Sequence, residues 1–176
     1  MKLGFSLITI AVQVAVLGLM VAAMLVPTNI LIERRLGMIF SFYFFKWVDT
    51  FGPVYPIHEL ECTEIKRTLQ AGAAFSVISS VLSVAVVVLL ILRGKFSGLN
   101  WAPRIAAMLC AIAILIAMIV IIVVRFLDCG EMDEMFGDYV PKDSNNRGDG
   151  GFCVGFTLVC VALGLEIVVV VLSFVF

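Results

Sequence analysis

The sequence predicts an all-α membrane protein, a bundle of four transmembrane helices with a small extracellular β-sheet formed mainly from the first long loop. Three observations predict it. The chain holds four long apolar runs, Leu3 to Ile32, Thr68 to Leu92, Ile105 to Val124 and Phe152 to Phe176, and only Glu166 puts a charge inside any of them. A helix of about 20 apolar residues spans roughly 30 Å of hydrocarbon, so each run is long enough to cross. The composition is 62% hydrophobic and 14% charged, where soluble domains are about a quarter charged. Mean hydropathy is +1.16. The net charge of −1 offers no basic surface, which excludes nucleic acid as a partner and leaves membrane lipids as the obligatory one.

The 176 residues read as a single four-helix membrane domain, with helices at about 3–32, 68–92, 105–125 and 152–176. Outer loops are expected at 33–67 and 126–151, and a cytosolic loop at 93–104. The first run is too long for the apolar core of a secretory signal, about 7 to 15 residues, so it is read as a retained helix ending near Pro27, with Pro27 and Asn29 loosening the exit. The loop after it carries equal numbers of basic and acidic residues. Within it, Ile39 to Val48 is rich in aromatics and β-formers and is closed by Asp49 and Gly52-Pro53. This predicts a strand followed by a turn, and a lone strand needs partners. The same aromatics also suit a membrane-interface belt or a surface for contact with other proteins, with Phe42, Phe44, Phe45 and Trp47 as the candidates.

The second run places Ser76, Ser80 and Ser83 on one helical face. Small faces let membrane helices approach closely, although such serines also bond back to their own helix. Ala106, Cys110, Ala113 and Ala117 make a similar face on the third run. The last outer loop is acidic and ends in the turn-forming stretch Asp143 to Gly151. Basic residues are densest in the short loop from Arg93 to Arg104, which has no acid, and this places that loop and both termini in the cytosol.

Cysteine placement agrees with that orientation. Cys62, Cys129 and Cys153 fall in or beside the outer loops, where an oxidising exterior permits disulfides. Cys129 with Cys153 is the expected pair, because the two bracket the acidic loop, with Cys62 left unpaired or as an alternative partner. Cys110 and Cys160 lie at different depths and read as small packing residues. No catalytic, cofactor-binding or metal-ligating set is legible: His58 has no nucleophile beside it, and Asp128, Glu131, Asp133 and Glu134 lack the spacing of an EF-hand and read as a solvated loop. An enzyme is not expected. There is no Asn-x-Ser/Thr sequon. The intramembrane polar residues are Gln13 and Glu166, both near the bilayer midplane, where an ionised carboxylate is strongly disfavoured. They are expected to pair across helices, or Glu166 to meet a serine of the second helix.

The order of parts, with the larger outer loop first and a short cytosolic turn, resembles the claudin-like plan and in particular the amastins, surface proteins of trypanosomatid parasites. Cys62-Thr63-Glu64-Ile65-Lys66-Arg67 followed by Ala73-Ala74-Phe75-Ser76-Val77-Ile78-Ser79 is similar to the amastin run into helix two. Gly151 to Phe156 and Leu165-Glu166 resemble the family's opening of helix four and its intramembrane acid. The chain departs from the family's loop pattern, whose two cysteines are replaced by Ser41 and Phe51; Phe44, Phe45 and Thr50 match it, whereas Tyr43, Lys46 and Val48 do not. This identifies a divergent member without the loop disulfide. The resemblance implies a non-enzymatic, multi-pass protein of the plasma membrane, acting in surface interaction, adhesion or membrane organisation through itself or another surface protein. The alternative is a transporter or channel, or the accessory subunit of one, using Glu166. Claudins proper and tetraspanins fit less well.

Overall fold

The computed structural model describes residues 2–33, 38–48, 54–59, 63–93, 101–126 and 151–175. Four helices are present there, α1 (Lys2–Leu25), α2 (Thr63–Arg93), α3 (Ala102–Phe126) and α4 (Val154–Val175). All four are long and apolar enough to cross a membrane. They close into a ring in which α1 packs on α2 and α4, and α3 packs on the same two. Residues such as Leu7, Val81 and Ile112 point outward, as they do where hydrocarbon takes the place of water.

The first apolar run does not stay helical to residue 32. It ends at Leu25, because a proline at position 27 disfavours helical backbone at the residue before it and cannot donate to the turn behind. Past the proline the chain becomes strand β1 (Asn29–Glu33), and its apolar residues belong to the sheet. An unbroken apolar run does not by itself distinguish helix from strand, so the boundary was marked by Pro27, near which the helix was expected to end, and not by hydropathy. The helix expected at 68–92 begins earlier, at Thr63, and the charged turn that precedes its apolar part buries Ile65 beside Phe42, Ile57 and Val124.

The aromatic stretch also divides. In place of one strand followed by a turn it forms β2 (Met38–Phe42) and β3 (Lys46–Val48), joined by a tight turn closed by Tyr43 N–H donating to the Lys46 carbonyl at 2.9 Å. With β4 (Val54–Pro56) and β5 (Gly151–Phe152) they build a five-stranded antiparallel sheet in the order β4-β3-β2-β1-β5. Register pairs Phe42 with Trp47 and Trp47 with Tyr55, and the Trp47 and Tyr55 rings stack at 4.5 Å. Cross-strand aromatic contacts of this kind stabilise a sheet by roughly 0.2 to 1 kcal/mol each. A 3-10 turn (Ile57–Glu59) then leads toward α2.

The sheet lies on the end of the bundle where α1 and α3 finish and α2 and α4 begin. Phe42, Ile57, Ile65, Leu69 and Val124 form a shared core, with Trp47 against it, so sheet and helices are one body. Phe44, at the tip of the β2-β3 turn, drops between the helices and is 1% exposed. Room for its ring comes from Gly72 on α2, where an added Cβ would lie 3.2 Å from the ring and 2.8 Å from Val120 of α3. Near the chain reversal after α1, the Pro27 and Thr28 carbonyls accept from the N–H groups of Gly155 and Cys153 at 3.0 and 3.1 Å. Those are the donors that the first turn of α4 leaves without helical partners. Gly155 is required there, because a Cβ would stand 2.8 Å from the Pro27 carbonyl oxygen.

Cys62, Cys129, Thr50, Phe51, Asp49, Gly52, Pro53, Asp128, Glu131, Asp133, Glu134 and the stretch Asp143 to Gly150 lie outside the described residues, as does most of the short loop after α2. His58 is exposed, as expected of a loop residue, and its carbonyl accepts from Lys66 Nζ.

Candidate functional site

Each helix turns its most polar stripe inward. On α1 the buried face runs Thr9, Gln13, Val16, Met20 and Ala23, and on α4 it runs Val159, Ala162, Glu166, Val169 and Ser173. Spacings of three and four residues keep each set on one side of its helix. On α2 the face is Ser76, Ser79, Ser83, Val86 and Leu90, and on α3 it is Ala107, Cys110, Ala113, Ile114 and Ala117. Small residues on α2 and α3 let the backbones approach closely, which is the usual source of attraction between helices in lipid.

Gln13 and Glu166 meet at the centre. Gln13 Nε2 donates to Glu166 Oε2 at 2.9 Å and to Ser83 Oγ at 2.9 Å, so one amide joins three helices. The Cys110 thiol adds the fourth: it lies 3.4 Å from Ser83 Oγ and donates to the Ser79 carbonyl at 3.4 Å. Gln13, Ser79, Ser83, Cys110 and Glu166 are all 0% exposed. A polar group this deep must find a partner, since unpaired burial costs on the order of 1–3 kcal/mol. The arrangement therefore aligns four helices at one depth.

The expected pairing of Gln13 with Glu166 is the one the structure makes, and the serine of α2 joins through the amide rather than directly to the acid. The other serines do bond back to their own helix: Ser76 to the Ala73 carbonyl, and Ser79 and Ser80 to that of Ser76. Sequence reasoning offered a serine of the second helix without singling out Ser83, and missed Cys110 as a member of this network. Their shared signal was position on a small inward face, which does not say which residue reaches across. Cys160 sits 3.8 Å from the Met118 sulfur as a packing contact.

The two ends of the bundle are closed differently. At the sheet end Asn29 Nδ2 donates to the Ile121 carbonyl of α3 at 3.0 Å, Phe152 stacks on Phe156, and the Arg125 guanidinium lies over the Phe152 ring. At the opposite end Arg104 Nε donates to the Ser173 carbonyl at 2.7 Å, with its guanidinium over Phe174. A cation at a helix C-terminus meets the negative end of the dipole and a free carbonyl together.

The four aromatic candidates of the first loop do not share a surface. Phe42 and Phe44 are buried in the protein's own core, so neither is available to a partner. Phe45, the next residue in the turn, is 49% exposed, and Trp47 is half-buried against Tyr55. Alternation along the chain explains the division, because the turn that sends Phe44 inward sends its neighbour outward. Of the expected disulfide, Cys153 lies at the start of α4, half-buried, and its partner Cys129 is outside the described residues.

A search of curated proteins finds no match to the chain. The family model described as amastin surface glycoprotein matches residues 10–172, from the first helix to the last and across both long loops. With four membrane-crossing helices beneath a sheet from the loops, this chain belongs to the amastin surface glycoprotein family and is a multi-pass membrane protein.

Proposed function

We propose that the protein is a non-enzymatic contact protein of the plasma membrane, with both termini in the cytosol and the sheet presented outside to another surface protein or to a second copy. The observation that carries this reading is the β2-β3 turn. Phe44 buries its ring among the helices, while Phe45 beside it and Val54 on the edge strand stand 49% and 57% exposed. A platform fixed in this way presents apolar side chains without paying ordering entropy on contact, and preorganisation of that kind favours binding. The test is Phe45→Ser with Val54→Ser in cells expressing the protein. Loss of self-association or of cell-to-cell adhesion, at unchanged surface level, is the expected result; unchanged association would remove the sheet from the contact surface. Topology is tested separately by a tag inserted near Asn145, which live unpermeabilised cells should expose to antibody.

Transport is the second reading, and the intramembrane carboxyl of Glu166 is the observation that favours it. A path on the sheet side of Glu166 would have to run past the buried hydroxyls of Ser76 and Ser79 and the apolar packing of Val159, Ala162, Met20 and Phe44. Reproducible ion or solute flux by purified protein in liposomes would put this reading first.

A further inference from the structure

Three contacts set the register of α3 against α4. The Arg104 guanidinium lies over Phe174 at 5.4 Å from the ring centre, the sulfurs of Cys160 and Met118 are 3.8 Å apart, and Arg125 lies over Phe152. Each step up α3 is matched by a step down α4, so the two helices run antiparallel. Arg104 to Met118 and Cys160 to Phe174 are equal lengths of helix, about 21 Å at 1.5 Å per residue. Between those contacts, spacings of three and four keep Met108 and Leu115 in line with Arg104, and Gly164, Ile167 and Val171 in line with Phe174. All five are exposed. The register sets Leu115 opposite Gly164, where an added Cβ would meet nothing within 4 Å. A shallow apolar groove therefore follows the seam from Arg104 toward the middle of the membrane and is open at Gly164.

Arg104 stands at the outer end of this groove. It is half-buried, its Nε donates to the Ser173 carbonyl at 2.7 Å, and the Phe174 ring lies against it. The guanidinium is thus oriented, and among the described residues no acceptor meets its two Nη groups. Nor does the sequence bring a carboxylate. Between Glu64 and Asp128 there is no acid, and the last helix holds only the buried Glu166. Lys2, Arg93 and Lys95 add positive charge at the same end. Trp101 marks the depth: it directly precedes α3 and is 71% exposed, and tryptophan gathers at the level of lipid headgroups. Along α3, Arg104 and Arg125 stand roughly 32 Å apart, about one hydrocarbon thickness, so each reaches a headgroup layer. The two are not equivalent. Arg125 is exposed and is followed in the chain by Asp128, Glu131 and further acids, whereas Arg104 has no countercharge near it in the chain.

We propose that the α3-α4 groove holds one anionic phospholipid, its phosphate taken by the Nη groups of Arg104 and one acyl chain laid over Gly164. A planar guanidinium already held by a bond and a ring offers parallel donors to phosphate oxygens and loses little freedom on binding. A free phosphate would use the arginine alone, while a lipid uses the arginine and the groove together. In a zwitterionic lipid the headgroup ammonium offsets the charge that the cations at this end attract. In the orientation proposed above this end faces the cytosolic leaflet, which is the anionic one. The binding itself does not rest on that orientation or on the contact role of the sheet.

Native mass spectrometry of the full chain, released from neutral detergent after mixing with equal amounts of phosphatidylglycerol and phosphatidylcholine, counts the lipid retained. One phosphatidylglycerol per chain, favoured about tenfold over phosphatidylcholine, is expected. Arg104→Gln should abolish the preference and Arg125→Gln should keep it. Gly164→Leu fills the groove, leaves Arg104 in place and should cut retention of both lipids, so it carries the test if Arg104→Gln does not fold. Glycerophosphoglycerol, the headgroup without chains, should compete poorly. Equal retention of the two lipids by the native chain, an unchanged preference in folded Arg104→Gln, or native retention by folded Gly164→Leu overturns the site. Competition by glycerophosphoglycerol as strong as that of the lipid overturns the role of the groove. So does a disulfide between two copies of Gly164→Cys in nanodiscs, which would put a second chain there.

Discussion

Gln13 is the residue through which three helices meet directly, and its replacement should be felt more than that of the acid it holds. Glu166→Gln keeps a donor and an acceptor facing Gln13 and should leave thermal unfolding in detergent nearly unchanged. Glu166→Leu leaves the Gln13 amide without one partner, and interhelical bonds of this class are worth about 0.6 to 2 kcal/mol, so a modest fall in unfolding temperature is expected. Gln13→Leu removes the bonds to both Ser83 and Glu166 and should cost more than Glu166→Leu. The reverse order, measured in the same detergent, would mean that the acid makes contacts of its own that outweigh the amide's. Gly155→Ala is a different kind of lesion. Its methyl would meet backbone at 2.8 Å, which no side-chain rotation relieves, so about 1–3 kcal/mol and slower folding are expected.

Among elements, the β2-β3 turn is the one that couples the sheet to the membrane part. Phe44→Ala empties the space above Gly72 and removes the sheet's deepest hold on the bundle, a change that costs about 3–5 kcal/mol in well-packed cores. Protease sensitivity confined to the sheet, with the helices still folded, is the expected phenotype. Gly72→Ala should resemble it in milder form, since the added Cβ presses on Val120 and on the same ring. If Phe44→Ala and Phe45→Ala were equally disruptive, the division between an inward and an outward aromatic would be wrong. That division was not legible in the sequence, where Phe42, Phe44, Phe45 and Trp47 form one aromatic block.

For the whole molecule, the cross-link expected between Cys129 and Cys153 concerns how the acidic loop is tethered to α4. Closing a loop of about 25 residues is worth roughly 3 kcal/mol in the chain-entropy picture, an upper figure where helices already hold the ends near each other. Peptide mapping of surface protein without reduction should recover the two cysteines in one fragment. Recovery of Cys62 joined to either would replace this pairing, and free thiols at both positions would remove it. In a reduced sample the bundle itself should persist, because neither the network at Gln13 nor the packing around Ile114 and Val16 draws on Cys153.

Number and approximate position of the membrane helices, the presence of a small sheet from the loops and the depth shared by Gln13 and Glu166 were all readable from sequence. They depend on quantities that add up along the chain: run length, charge spacing and 1.5 Å of rise per residue. The resemblance at Cys62 to Ser80 and at the opening of the last helix pointed to the family for the same local reason. Pro27 announced the end of α1, but the strand in its wake was not readable, since hydrophobic residues suit lipid-facing helix and buried strand equally. Nor was Cys110 as a member of the central network, nor the choice of Ser83 among the serines of the second helix. A hydroxyl on a small face bonds to its own backbone unless a neighbouring helix brings a better partner within 3 Å, and which helix stands opposite is decided only when all four have packed.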